Sequence, residues 1–506
     1  MAWRWEKEES GDYAIVIDGF SDGIAQDPLK GMTRMNQVSI EVPGEVSVGF
    51  PLFASTVSGA TMAAPIAGSV RYQSYTAQTP VGSIQSWAIL DESGQVFEAT
   101  SYTGTWTYLS SGVSLTGAGS TDGLAFWLGY LFKTRGANID YWNGTTWSNA
   151  WVTTLTGGVK HKMYVGTDNV LYITNGNFIA SIALADPSDP TTFDPTNAAT
   201  YTVTVDKLQL PATDEAISLA EIGGGNTPNS TLLIGGIQNA IYPWDKTSAN
   251  FALPIYVAEP YIKNIVAVNQ NAFIFPGNRQ GRGRIYITNG SQADEWFKMP
   301  DYVFGIQEPY FEWGDAMFHR NNLIFGFFVE SNANNTILSF DEIYAIELET
   351  KKLRAITTIG PASGKASATV LLPTGSVSAA GFGYFVGWDD DSSAPGVGRP
   401  SGTAGVGSAG LTTELIPIGT FLQKKTFTQV EYKLRSALES GENIEITPIV
   451  DTGGTSALSF LPTPGTGQIS GVASANFQGV QWLKFDITLI GNSATSGVRL
   501  REIRIR

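Results

Sequence analysis

From about residue 69 to residue 393, apolar and polar positions alternate in short runs, and a turn of Gly, Asn, Asp or Ser closes each run. SWAILDESGQVFEAT at 86–100 shows the pattern, with Ser93-Gly94 as a tight hairpin turn between its two halves. A period of two places successive side chains on opposite faces, so each run predicts a strand with one buried face. Longer strings recur: IDYWNGTTW at 139–147, YITNGNF at 172–178, LLIGGIQNAIYPW at 232–244 and IYITNGSQADEW at 285–296. Each belongs to a strand-rich unit of roughly forty residues. Such a unit cannot bury both faces alone and must stack on the next, which predicts a closed β-propeller of roughly six or seven blades.

The units can be followed along the chain. The first ends with TGTWTYLSSG at 103–112, the second runs over 123–148, and the third over 161–184 with turns at Thr167-Asp168-Asn169 and Asn175-Gly176. Residues 185–213 are rich in Pro, Asp and Thr and predict a surface loop with at most one edge strand. Blade-like text resumes at 217–245, 264–303 and 316–360, and a last unit begins near Ala366 and includes GFGYFVGWDDDSS at 381–393. Residues 394–410, APGVGRPSGTAGVGSAG, lack apolar bulk and predict a linker. Longer strands follow, predicting a jelly-roll-like β-sandwich in which Val498, Leu500, Ile503 and Ile505 share one face across a bulge at Arg501-Glu502. After a strand-like YAIVID at 13–18, residues 19–53 show Gly, Pro and Asn at short intervals and little periodicity, so this first region predicts an extended arm lying across another domain or subunit. The expected partition is therefore 1–68 arm and first strands, 69–410 propeller, and 411–506 sandwich.

Composition agrees with an all-β chain. Gly 56, Pro 24, 11% aromatic residues including Trp 13, and only 15% charged residues are unlike a helical protein, whose exposed faces need Lys, Glu and Arg. With Cys 0 there is no disulfide framework and no thiolate chemistry. The net charge of −15, with a pI near 4.7, opposes general nucleic-acid binding, which needs basic stripes. No apolar run reaches the length of a membrane span; LIFGFFV at 323–329 fits one buried strand. The opening MAWRWEKEES lacks the apolar core of a signal peptide, so synthesis in a cytoplasm without export is expected.

Several residues could carry chemistry. His161 and His319 open different units and are read as turn or strand-start histidines. At 140–147 a sialidase-type Asp box would need Ser and Asp where the chain has Asp140 and Trp142, which leaves Gly144, Thr146 and Trp147 as a packing device. Asp294-Glu295-Trp296 and Glu312-Trp313-Gly314-Asp315 bring carboxylates beside tryptophan, as glycoside hydrolysis requires. Asp389, Asp390 and Asp391 form an acidic turn without calcium-loop spacing. Arg279, Arg282 and Arg284 share the Gly-rich GNRQGRGR, which lacks the Lys-Ser/Thr of a phosphate loop. The sequons at Asn143 and Asn289 carry no weight without a secretory signal. No catalytic, cofactor-binding or metal-binding residue is expected.

GFSDGIAQDPLKGMTRMNQVSIEVPGEVSVGFP, YWNGTTW, LAEIGGGNTPNSTLLIGGIQNAIYPWD, RIYITNGSQADEWFKMPDYV and the C-terminal QWLKFDITL and RLREIRIR together resemble the propeller-bearing structural proteins of tailed-phage virions. The nozzle, or tail tubular, and tail-hub proteins belong to this group. The resemblance implies a non-enzymatic virion subunit of a homo-oligomeric ring, with other tail or portal-complex proteins as partners and DNA passing without specific binding. An acidic lumen would not trap the genome. The arm, the sandwich and the basic Arg499, Arg501, Arg504 and Arg506 would then meet neighbours. Two alternatives stay open: a glycan- or receptor-binding propeller with exposed Trp and Tyr, and a polysaccharide-degrading enzyme with converging carboxylates.

Overall fold

A computed structural model gives the fold. It describes all residues except 1, 8–12, 19–33, 37, 40–45, 49, 65, 74–84, 102–103, 110–122, 224–229, 278–282, 300–309, 320, 331–336, 352, 359–371, 374–383, 391–392, 401–407, 414–415, 418–424, 451–457, 461–468 and 492–497. The described residues contain no α-helix, and their strands form a seven-bladed propeller and a two-sheet sandwich.

Each blade is an antiparallel meander. Blades 2 to 5 have four strands each, with the first of each blade innermost: Leu124–Trp127, Met163–Val165, Ala216–Ile222 and Ile262–Val268. Blade 1 begins at Ile66–Gln73, blade 6 at Tyr310–His319 and blade 7 at Leu372–Pro373. These seven innermost strands neighbour one another around a closed circle, with Leu372–Pro373 returning beside Ile66–Gln73. Turn chemistry sets the meander locally. Gly94 adopts φ +90° at the expected hairpin, a conformation that L side chains rarely adopt.

Apolar packing between blades supplies the core. Every junction has its own buried group: Leu90 and Leu131 between blades 1 and 2, Phe132 and Ile173 between 2 and 3, Leu208 and Ile234 between 3 and 4. Leu233 and Ile274 serve blades 4 and 5, Phe275 and Trp313 blades 5 and 6, and Ile324 and Val386 blades 6 and 7. Phe385 of blade 7 meets Trp87 and Trp106 of blade 1 edge-on, with ring centroids 5.4 and 5.1 Å apart, and closes the circle. Tryptophan N–H groups add directional pegs: Trp127 Nε1 donates to Asn169 O of blade 3 at 2.9 Å, and Trp313 Nε1 donates to Pro276 O of blade 5 at 2.8 Å.

Strand pairing crosses the expected partition of the chain. Phe50–Ala54 completes blade 7 as its outermost strand, with Leu52, Phe53 and Ala54 opposite Pro400, Arg399 and Gly398, while Phe50 and Pro51 pair in parallel with Thr357 and Thr358 of blade 6. Val57–Ser58 extends blade 1. Earlier segments belong to the sandwich: Ala2–Lys7, Tyr13–Asp18, Val38–Ser39 and Val46–Val48 join the sheet of Arg499–Ile505, Lys425–Leu434 and Ser470–Val480. Arg34–Asn36 joins the facing sheet with Ser408–Thr412, Trp482–Ile490, Asn443–Val450 and Leu458–Phe460. The excursion at 185–213 contains a full strand, Tyr201–Gln209, the fourth of blade 3.

The expected linker at 394–410 is corrected by the same pairing, because Ser393–Pro400 is a strand of blade 7 and Ser408–Thr412 lies in the sandwich. Its glycines reflect close approach: a Cβ at Gly396 would stand 2.4 Å from Trp388 Cζ2. The bulge in the last strand is present, since consecutive Lys433 and Leu434 pair with Glu502 and Leu500 and leave Arg501 unpaired between them. Val498, Leu500, Ile503 and Ile505 are all buried. One continuous apolar cluster holds the sandwich core together with the junction of blades 5 and 6, and Val38–Ser39 lies against Leu353–Thr358 of blade 6.

Candidate functional site at the propeller axis

The innermost strands share a local irregularity that shapes the axis. In blade 1 Ile66 and Gly68 oppose Asp91 and Leu90, so Ala67 is an extra residue. Ile217 of blade 4 and Lys263 of blade 5 are extra in the same way, and in blade 6 Gly314-Asp315 fall between paired Trp313 and Ala316. Bulges bend a strand and re-aim its side chains. Ala67, Ile217, Lys263 and Asp315 accordingly line one axial cavity of about 200 Å³, joined by Leu124 of blade 2 and by Lys162 and Met163 of blade 3.

The cavity wall is fixed by hydrogen bonds. Lys162 Nζ donates to Ala67 O at 2.9 Å, Ser218 Oγ to Ile262 O at 2.6 Å, and Asn264 Nδ2 to Gly314 O at 2.6 Å. Asp315 keeps some surface toward the cavity yet lies deep in the molecule. Loss of solvation pushes its carboxyl above the usual carboxylate range, against the opposing pull of Lys162, the Ala316 N–H and Lys263. The arrangement is polar, with both signs of charge converging from three blades.

The residues singled out from the sequence fall elsewhere, apart from Asp315. His161 precedes the inner strand of blade 3 and His319 ends that of blade 6, so they stand at opposite ends of the axis. His161 is buried, with Nδ1 2.6 Å from Thr174 O and Nε2 3.0 Å from Thr156 O, and braces the entry to blade 3. Asn143, rather than a carboxylate, closes the 143–146 turn by accepting from the Thr145 and Thr146 N–H groups, each at 2.9 Å. Trp147 is buried and its Nε1 donates to Leu109 O at 2.9 Å, as a packing device should. Asp140 accepts a two-pronged bond from Arg135 at 2.9 and 3.1 Å.

Asp294 and Glu295 are exposed on Ala293–Lys298, the outermost strand of blade 5, and Glu295 lies 3.1 Å from Arg284. Arg284 also lies 3.5 Å from Glu259. Arg279, Arg282 and the side chains of Glu312, Asp389, Asp390 and Asp391 lie outside the described residues. Asn289 accepts from Ser291 within its own turn.

Two buried cations escaped the sequence reading. Lys133 of blade 2 donates to Gly94 O of blade 1 at 2.8 Å and lies 4.6 Å from the Trp147 ring centre, and burial pushes its ammonium down to about 8. Lys246 of blade 4 donates to Glu221 Oε1 and Ser230 Oγ, each at 2.7 Å, and lies 3.4 Å from Asp168 of blade 3. Burial pushes the Glu221 carboxyl up, and the bonds from Lys246, Ser230 and Thr167 outweigh it and hold it below the usual range. Neither position carries a local signal, because each partner comes from another strand or blade.

No protein-family model matches the sequence, and no curated protein does. Solved structures similar to the chain include an exo-β-1,3-galactanase from Phanerochaete chrysosporium with β-1,3-galactotriose, at 12% identity and TM-score 0.29, covering 90% of this chain and 99% of the other. The β-propeller domain of Swd1 from Myceliophteria thermophila has 11% identity and TM-score 0.43 over 69% of this chain and 100% of its own. BBS1N in complex with ARL6DN has 10% identity and TM-score 0.42 over 70% of this chain and 98% of its own. Likenesses this distant carry nothing about function. The chain is an all-β propeller protein on the evidence of its own seven blades and their closure.

Proposed function

We propose that this chain is a non-enzymatic structural subunit of a tailed-phage virion, assembled as a ring of identical copies in the tail nozzle or hub and placed where DNA passes without specific binding. The observation that carries the reading is the knitting of the two units by one segment: strands within residues 2–48 build the sandwich, and Phe50–Ala54 completes the propeller. A subunit that must hold its place between neighbours needs such a fixed body. The net charge of −15 supports it, since an acidic surface repels phosphate. Aromatic placement supports it further: Trp87, Trp106, Trp127, Trp147, Trp244, Trp313 and Trp388 are buried, whereas glycan stacking uses exposed rings.

Native mass spectrometry of the purified full chain tests the reading, together with immunogold labelling of phage particles that carry it. The expected result is a closed multimer and label on the tail. A strict monomer with label on peripheral fibres would overturn it in favour of a receptor-binding role.

A further inference from the structure

One sheet of the sandwich has two open edges among the described residues. Ala2–Lys7 pairs only with Tyr13–Asp18, and Ser470–Val480 pairs only with Lys425–Leu434. Edge strands expose unpaired N–H and C=O groups, and proteins ordinarily blunt them with Lys, Pro or brevity. The 11 residues of Ser470–Val480, SGVASANFQGV, include no charge and no proline, and the strand's two bulges lie between Ser474 and Val480, which leaves Ser470–Ser474 as a regular open edge.

Apolar exposure concentrates at the same two edges. Of the five large hydrophobic residues exposed among the described residues, Ile469 at 58% and Val472 at 57% flank the start of one edge strand, and Trp5 at 40% lies on the other. Trp5 is opposite Ile15, whose side chain belongs to the sandwich core, so the indole continues the core-facing side of the sheet past its rim.

We propose that these edges pair with each other between copies: Ala2–Lys7 of one chain adds to Ser470–Val480 of the next, so that the sheet continues from subunit to subunit. The occupant is a second copy because a single chain offers both halves of the join, at opposite ends of one sheet. Joining unlike edges is a head-to-tail contact, which closes into a ring when the rotation between copies permits. Main-chain hydrogen bonds supply the register, and burial of Trp5 and Ile469, both on the core-facing side, supplies the apolar contact, while Val472, opposite Glu431, lies on the other face. The inference rests on the ring reading above and adds the surface through which the ring is made.

The chain has Cys 0, so single introduced thiols report the contact without background. Trp5→Cys and Ile469→Cys full-length chains, whose thiols share the core-facing side of the sheet, are mixed and treated with a bis-maleimide whose reach of about 10 Å spans roughly three strand residues. The mixture is expected to yield covalent dimer, neither variant alone should, and the double variant should give a ladder ending at the ring. Self-linking of Trp5→Cys alone, or no linking in the mixture while wild type is multimeric, overturns the edge pairing and leaves the ring standing. A wild type that is monomeric by native mass overturns both. If Trp5→Cys does not fold, Lys7→Cys on the same strand replaces it. Val472→Lys should convert multimer to a monomer that keeps its β-sheet circular-dichroism spectrum, and an unaltered multimer would contradict the proposal.

Discussion

The Arg504 guanidinium donates to the Glu6 carboxylate at 2.9 Å, joining residues 498 positions apart. The last strand is an interior strand between Tyr13–Asp18 and Lys425–Leu434, and two of the terminal arginines are engaged within the chain: Arg504 also lies 3.4 Å from Glu502, and Arg506 donates to Glu431 at 2.6 Å. Arg504 and Arg506, expected to meet neighbouring subunits, are thus tied within the chain. Reversing Arg504 and Arg506 to Glu should therefore destabilise the sandwich itself. Arg504→Glu alone is expected to cost about 1–2 kcal/mol in denaturant unfolding, because partly exposed pairs are screened but like charges would now meet. The double exchange Glu6→Arg with Arg504→Glu should recover part of that loss, and no recovery would show that the pair contributes nothing.

Removal of residues 1–54 deletes five sandwich strands and the closing strand of blade 7. The expected result is loss of cooperative unfolding in both units, read by tryptophan fluorescence and by amide exchange. A truncated chain whose propeller melts as in the full protein would show that Phe50–Ala54 closes the circle without holding it.

Lys133 gives the propeller a basic-range dependence on pH. Its ammonium is pushed from 10.5 to about 8, so the unfolded chain binds the proton more tightly than the folded one. The stability tied to this group accordingly rises as pH increases through that window, by on the order of 3 kcal/mol. Lys133→Met should remove the rise in denaturant titrations between these values, and parallel curves for the two proteins would refute the desolvated ammonium.

Asp315 has the opposite sense. Its carboxyl is raised on folding, so the folded protein holds the proton more firmly and loses stability as pH climbs from the ordinary carboxylate range through the raised value. Asp315→Asn should be more stable than wild type at neutral pH, with the difference closing in acid. Destabilisation by Asp315→Asn at neutral pH would mean that Lys162 and Lys263 hold the group as an ion.

Legibility in the sequence followed the range of the contacts. Hairpins are local, so Ser93-Gly94, Asn175-Gly176 and the alternation of Val498 to Ile505 revealed strands, turns and a bulge. YAIVID at 13–18 was legible as a strand, but the roles of Tyr13–Asp18 in the sandwich and of Phe50–Ala54 in blade 7 were hidden because those partners lie hundreds of positions away. Gly396 read as linker flexibility because the Trp388 ring beneath it comes into view only in three dimensions. The axial cavity was hidden for a related reason. Lys162, Lys263 and Asp315 meet only through the radial arrangement of three blades, and bulges leave no residue-type signature unless glycine supplies them.

A cryo-electron map of the particle that carries this chain decides whether it is a ring subunit of the tail. A closed ring of copies in the tail is expected, coaxial with the DNA path, with the sheet containing Ala2–Lys7 and Ser470–Val480 at the subunit boundary. A map that places single copies as peripheral spikes with the propeller facing outward onto glycan would contradict it.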